Sequence, residues 1–168
     1  MSNNIQQQTT INIQEKANLI WAIADKLVGI YKPHEYGNVI LPMCVIKRFE
    51  DTLAPTKQAV LDTNAKLDKD GIVVKKGFLE TAAGQQFYNL SPFTFQSLLN
   101  DPENIKENFE SYLNHFSENV IDIIHRMDFD RELQKMADNN VLYLVIKEFC
   151  TAKAYLGTDV LTSVDMGY

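Results

Sequence analysis

The stretch His34 to Asp51, HEYGNVILPMCVIKRFED, decides the fold, because eight apolar residues from Val39 to Ile46 run across a proline with charged groups at both edges. A central strand cannot give up the N–H that Pro42 lacks, although Val39, Ile40, Val45 and Ile46 are β-branched and favour one. A helix also loses a bond at an interior proline and bends there. Length and period choose between them. Tyr36, Val39, Ile40, Met43, Ile46, Phe49 and Leu53 recur at three- and four-residue steps, over a span too long for an ordinary strand. The expectation is a kinked helix, apolar on all sides from Val39 to Ile46 and therefore at the centre of a bundle.

Outward from this helix the same grammar repeats. Asn12 with Glu15 has the form of a capping box and opens the series Ile13, Ala17, Ile20, Ala24 and Leu27, closed by Gly29. Residues 1–11 are polar and read as a disordered tail. Pro55 starts a weaker segment with Val60, Leu61 and Leu67 that ends at Asp70-Gly71. Residues 71–90 look like a small hairpin or irregular loop excursion, with extended pieces at Ile72 to Val74 and Phe87 to Leu90. Ser91-Pro92 reads as a helix start. Asp101-Pro102-Glu103 repeats that pattern before Ile105, Phe109, Tyr112, Phe116, Val120, Ile123 and Met127, which predict one rod of about 25 residues and about 37 Å. A short helix with Leu133 and Met136 follows, then Asn139-Asn140 and a last helix from Val141 to about Ala154. The fold class is mainly α: a helical bundle with a kinked central helix, one long helix and the excursion at 71–90. The helical domain spans residues 12–160, and 161–168 read as the start of a linker.

Composition bounds the function. The 168 residues are 45% apolar and 23% charged, ordinary values for a globular chain. The longest apolar run is far short of the roughly 20 residues that span a bilayer, and the N-terminus lacks a secretion signal, so a cytoplasmic protein that meets no membrane is expected. Cys44 and Cys150 sit in apolar runs and read as small core residues. The net charge of −6 argues against a domain that grips nucleic acid unaided. Charge is nevertheless segregated. From Lys32 to Lys76 eight basic residues face six acidic ones, whereas from Asp101 to Asp130 eight acids face Lys106 and Arg126.

Candidate chemistry is sparse. His115, Glu118, Asp122 and His125 fall at steps of 3, 4 and 3, but two histidines ten residues apart on a helix are about 15 Å apart and cannot share an ion, so a solvated face is the reading. His34-Glu35 lacks the second histidine of a zinc-protease helix. The seven glycines never fall two apart, which excludes a phosphate or dinucleotide cradle. No catalytic, cofactor-binding or metal-ligating residue is assigned.

Five pieces occur in one order: Leu19-Ile20-Trp21 through Asp25-Lys26-Leu27; the Glu35-Tyr36 to Asp51 helix; Ser91-Pro92-Phe93-Thr94-Phe95; Phe116-Ser117-Glu118-Asn119-Val120 with Asp128-Phe129-Asp130; and Asp165-Met166-Gly167-Tyr168. Together they resemble the N-terminal helical domain of the modification (methyltransferase) subunit of type I restriction-modification systems. That resemblance implies a parent enzyme that methylates adenine at N6 with S-adenosylmethionine. It also implies an assembly with a specificity subunit and a second modification subunit around double-stranded DNA, which a motor-nuclease restriction subunit can join. The family's Asn-Pro-Pro-Phe or Asn-Pro-Pro-Tyr motif is missing, as is its glycine-rich loop. The expectation is therefore a DNA-clamping and subunit-assembly domain that is inactive alone and binds no cofactor, with the catalytic domain beyond residue 168. Lys66, Lys69, Lys75 and Lys76, on or beside the excursion, are the candidates for DNA-backbone contact. The alternative is a freestanding helical protein-protein adaptor without enzymatic activity.

Overall fold

The computed structural model describes the backbone of residues 2–151 and the side chains of residues 13–151; the expected linker at 161–168 lies outside them, whereas the last helix ends inside them at Glu148, short of the expected Ala154. The described residues form a mainly α bundle without strands. The opening stretch becomes α2 (Gly37–Leu53), which runs through Pro42. The carbonyl that loses its partner there belongs to Asn38, an exposed residue near the helix start, where water can replace the bond. Val39, Met43, Ile46 and Leu53 are fully buried, and α2 packs on α1 (Ser2–Leu27) and α8 (Phe129–Asp138). Its apolar surface is not covered on every side, since Leu41 is 62% exposed.

The first helix differs in start and phase from the reading of its sequence. It extends back to Ser2, so Asn12 lies inside it and does not cap it. Its buried stripe is Leu19, Ile23, Ala24 and Leu27, while Ile13 and Ile20 remain exposed. Both stripes obey the helical period, and only the position of the packing partners selects one of them. Gly29 closes the helix at φ +86°, a left-handed value that glycine adopts without steric cost.

After α2, a 3-10 turn at Ala54–Thr56 leads into α3 (Lys57–Lys69). Residues 71–90 do not form a hairpin. They hold α4 (Lys76–Ala83), ended by Gly84 at φ +68°, whose N–H donates to Glu80 O at 2.9 Å. The extended piece at 87–90 pairs elsewhere. Leu90 N donates to His115 O (2.9 Å) and Ser117 N to Tyr88 O (2.8 Å), so this piece clasps residues 115–117.

That clasp cuts the expected rod in two. Helices α6 (Ile105–Asn114) and α7 (Glu118–Arg126) replace it, with extended Ser117 between them and its hydroxyl accepting from Tyr88 N at 3.2 Å. The backbone bonds lost at the break are recovered from the 87–90 crossing, so little is forfeited. The break also shifts the buried face. Ile105, Phe109, Tyr112, Phe116 and Val120 are buried as expected, but Ile124 then takes the place of Ile123, which is 36% exposed.

The short α5 (Phe95–Leu98) is capped by Thr94 and not by Ser91. Thr94 Oγ1 accepts from Ser97 N (3.1 Å) and Ser97 Oγ from Thr94 N (2.8 Å), while Ser91 Oγ accepts from Phe93 N (3.0 Å) and shapes the preceding turn. A 3-10 turn at Pro102–Asn104 precedes α6. Helix α8 carries buried Leu133 and Met136, and Asn140 at φ 59° leads into α9 (Leu142–Glu148), which lies against α1. One continuous core runs from Leu19 to Phe149. Cys44 and Cys150 pack against it as free thiols, and burial pushes them up to about 12 and about 11.

Candidate functional site

The four lysines marked in the sequence gather around the turn between α3 and α4, two helices that pack along each other. Lys66 and Lys69 are exposed on the last turn of α3, where the helix dipole favours cations. Lys75 is tied down. It pairs with Asp68 and donates to Asn64 Oδ1 at 3.1 Å, which fastens the start of α4 to α3. Lys76 is exposed and lies 3.8 Å from Glu80. At the tip between them Val73 and Val74 are 87% and 81% exposed. The geometry thus separates two exposed cations, one cation loosely held by an acid, and one that serves as a strut.

His115, Glu118, Asp122 and His125 fall across the break between α6 and α7, and His115 Nδ1 lies 2.6 Å from Ser111 O. Among the described residues no group of three or more His, Cys, Asp or Glu side chains comes close enough to hold a metal ion. No described helix is long and apolar enough to cross a membrane.

A polar cluster inside the bundle has no counterpart in the sequence reading. A cavity of about 170 Å³ is lined by Glu50, Asp51, Lys57, Asn89, Thr94 and Tyr112, among others. Lys57 Nζ donates to Asn89 Oδ1 (3.0 Å) and Phe93 O (3.2 Å) and lies 5.4 Å from the Tyr112 ring centroid. Asn89 also accepts from Ser91 N (2.7 Å) and donates to Tyr112 O (3.0 Å). Glu50 Oε1 accepts from Phe95 N at 2.7 Å and is hydrogen-bonded by the Tyr112 hydroxyl. Beside it Lys47 Nζ sits 2.6 Å from both Asp51 carboxylate oxygens. Lys47 and Asp51 are an i,i+4 salt bridge on α2, which the sequence reading missed. Nothing local marks the rest, because its members come from α2, α3, α6 and the 89–94 segment, which lie far apart in the sequence.

Withdrawal from water lowers Lys57 to about 8 against the field of Glu50, and raises the Glu50 carboxyl despite its bond from Phe95 N. The unfolded chain therefore holds more protons on Lys57 between pH 8 and the ordinary 10.5, so this residue adds stability as pH rises through that window and loses it as pH falls through 8. Glu50 acts with the opposite sign, favouring the fold below 4.5 and losing that benefit as pH rises through its raised value. Cys44, Cys150, Tyr31 and Tyr112, all raised by burial, pull the other way over the same range, so urea unfolding of wild type and Lys57→Met between pH 7.5 and 10.5 isolates the first effect by difference: the stability of wild type relative to the variant is expected to rise with pH. Parallel curves for the two proteins would remove Lys57 as its source.

Among the described residues the arrangement supplies one packed core and a charged tip. A family model, the HsdM N-terminal domain, matches residues 16–149. The chain belongs to this family, the N-terminal domain of the modification subunit of type I restriction-modification systems. No curated protein and no solved structure matches the chain. The match covers the whole bundle from the middle of α1 to the end of α9, so the HsdM N-terminal domain is the folded unit described above. Within it the glycines at 29, 37, 71, 77 and 84 stand in open space, with nothing near where a Cβ would lie, and three of them turn the chain after helices. Among the described residues these glycines form no backbone cradle.

Proposed function

We propose that this HsdM N-terminal domain is the DNA-clamping and subunit-assembly part of an adenine-N6 methyltransferase subunit that uses S-adenosylmethionine. The family match across residues 16–149 carries this reading, and the internal architecture supports it: a rigid core with its polar groups spent on holding helices together. In this reading methyl transfer and cofactor binding belong to another part of the modification subunit, and base reading to the specificity subunit. A second modification subunit completes the clamp, and a restriction subunit joins the full complex in the cytoplasm. Family membership favours this over a freestanding adaptor.

The clamp's phosphate contacts are assigned to the α3–α4 tip. Lys66 and Lys69 point their charges into solvent and take the main part; Lys76 can leave Glu80 at little cost, because exposed ion pairs contribute at most about 1 kcal/mol. Lys75 acts through the geometry of the tip. In the assembled methyltransferase, Lys66→Gln with Lys69→Gln should weaken binding alike on cognate and random duplexes and reduce the slope of log K against log salt by roughly 0.9 per lost contact, about 2 for both. An unaltered slope would take the tip out of the DNA interface.

A further inference from the structure

The cavity beside α2 holds an amine that the proposed clamp does not use. Lys57 lines it from the first turn of α3, half-buried, and exposed Ala54 is among the other lining residues, so the space of about 170 Å³ opens to solvent. Lys57 Nζ donates to Asn89 Oδ1 at 3.0 Å and to Phe93 O at 3.2 Å. Two acceptors take both hydrogens of an uncharged amine and leave its lone pair for an electrophile. The burial that lowers Lys57 to about 8 leaves roughly a quarter of it uncharged at pH 7.5, against about 0.1% for a lysine at the ordinary 10.5. Desolvated lysines of this kind are the ones that form Schiff bases.

We infer that Lys57 is a covalent binding site for a small uncharged aldehyde, held as an imine in this cavity. Size and charge select the class. At about 30 Å³ for each water-sized atom the cavity admits roughly five or six non-hydrogen atoms. With the amine uncharged, the lining residues include the carboxyl groups of Glu50 and Asp51 and no cation. That disfavours anionic electrophiles such as acyl phosphates, and also the anionic carbamate that carbon dioxide would leave on the nitrogen. An aldehyde ends instead as a cation. The lone pair adds to the carbonyl carbon, both amine hydrogens depart with the carbonyl oxygen as water, and the imine nitrogen takes up a proton from solvent to become an iminium. The field of Glu50, which already favours the charged form of Lys57, favours that product too, and the Tyr112 ring centroid lies 5.4 Å from Nζ, within reach of a cation. The iminium keeps one N–H for Phe93 O, while Asn89 Oδ1 still accepts from Ser91 N at 2.7 Å, so neither acceptor is stranded. This chemistry needs neither DNA nor a partner subunit, so it stands or falls separately from the clamp.

Competitive labelling of the 168-residue chain tests it. Glycolaldehyde at pH 7.5, with cyanoborohydride to reduce the imine to a stable secondary amine, is read by peptide mass at low conversion. Lys57 should be labelled about tenfold faster than exposed Lys66, Lys69 and Lys76, the lower nucleophilicity of a weaker base offsetting the rest of its advantage in uncharged amine. Glyoxylate matches glycolaldehyde in size but carries a carboxylate, and the preference for Lys57 should fall about fivefold or more with it. Glu50→Gln removes one carboxyl from the wall and should raise glyoxylate labelling of Lys57 relative to the three surface lysines. In the urea-unfolded chain all four lysines should react alike. Glycolaldehyde labelling of Lys57 no faster than that of the surface lysines would overturn the inference. A preference shared equally by glyoxylate, or unmoved by Glu50→Gln, would overturn the choice of an uncharged aldehyde.

Discussion

An Asp51→Ala variant is expected to lose about 3–5 kcal/mol of folding stability, because it strands the Lys47 ammonium in the bundle without its counter-charge. Both side chains of the pair are only 8% exposed, and Lys47 Nζ reaches both carboxylate oxygens at 2.6 Å. At that depth the attraction offsets a desolvation cost of several kcal/mol per ion, and removing one partner leaves the cost without the attraction. Removing both is a different experiment. Lys47→Met with Asp51→Leu exchanges the pair for apolar side chains and should recover most of the loss, since buried pairs contribute little net stability against well-packed hydrophobes. Urea unfolding of the three variants decides it. A loss under about 1 kcal/mol for Asp51→Ala would show that water reaches Lys47 and that the pair behaves as a surface bridge.

Phe95→Ala should be comparably severe, about 3–5 kcal/mol, for a reason of shape and not of charge. Phe95 is 1% exposed, and its ring meets Phe109, Tyr112 and Phe149 edge-to-face at centroid distances of 5.8, 6.0 and 6.1 Å. Rings so arranged gain from their quadrupoles beyond the area they bury. Truncation leaves a void among side chains that belong to α6 and α9, which cannot close over it without shifting both helices. Phe95→Leu fills much of that space and should cost distinctly less. The urea midpoint should fall with the denaturant slope unchanged. Equal losses for Ala and Leu would mean that the ring contacts, and not the filled volume, carry the stabilisation.

Much of the bundle was legible because helix starts and stops are local. Pro55, Asp70-Gly71, Asp101-Pro102 and Asn139-Asn140 all fall where elements change. The central helix was legible through its period despite Pro42. What escaped were features set by distant partners. The rod from Ile105 to Met127 has an unbroken helical pattern, yet residues 88–90 intercept it at 115–117, and no period within the rod announces that contact. Residues 76–83 were passed over as helix because a segment of eight residues offers barely two turns of pattern. The phase of α1 was misread for the opposite reason: two apolar stripes lie side by side, and the one with Ile13 and Ile20 is not the one that faces the bundle. At the tip, the sequence supplied the four lysines but could not show that Lys75 is held by Asp68 and Asn64.

The clasp between residues 88–90 and 115–117 bears on the order in which the chain can assemble as the ribosome delivers it. Tyr88 and Leu90 emerge at least 25 positions before the segment that satisfies their backbone, so these groups wait unpaired until the junction after α6 has left the exit tunnel. The first half of the bundle therefore cannot reach its final form by growing outward from the amino terminus. Closing that circuit of chain is a long-range contact, which forms only once both halves are present.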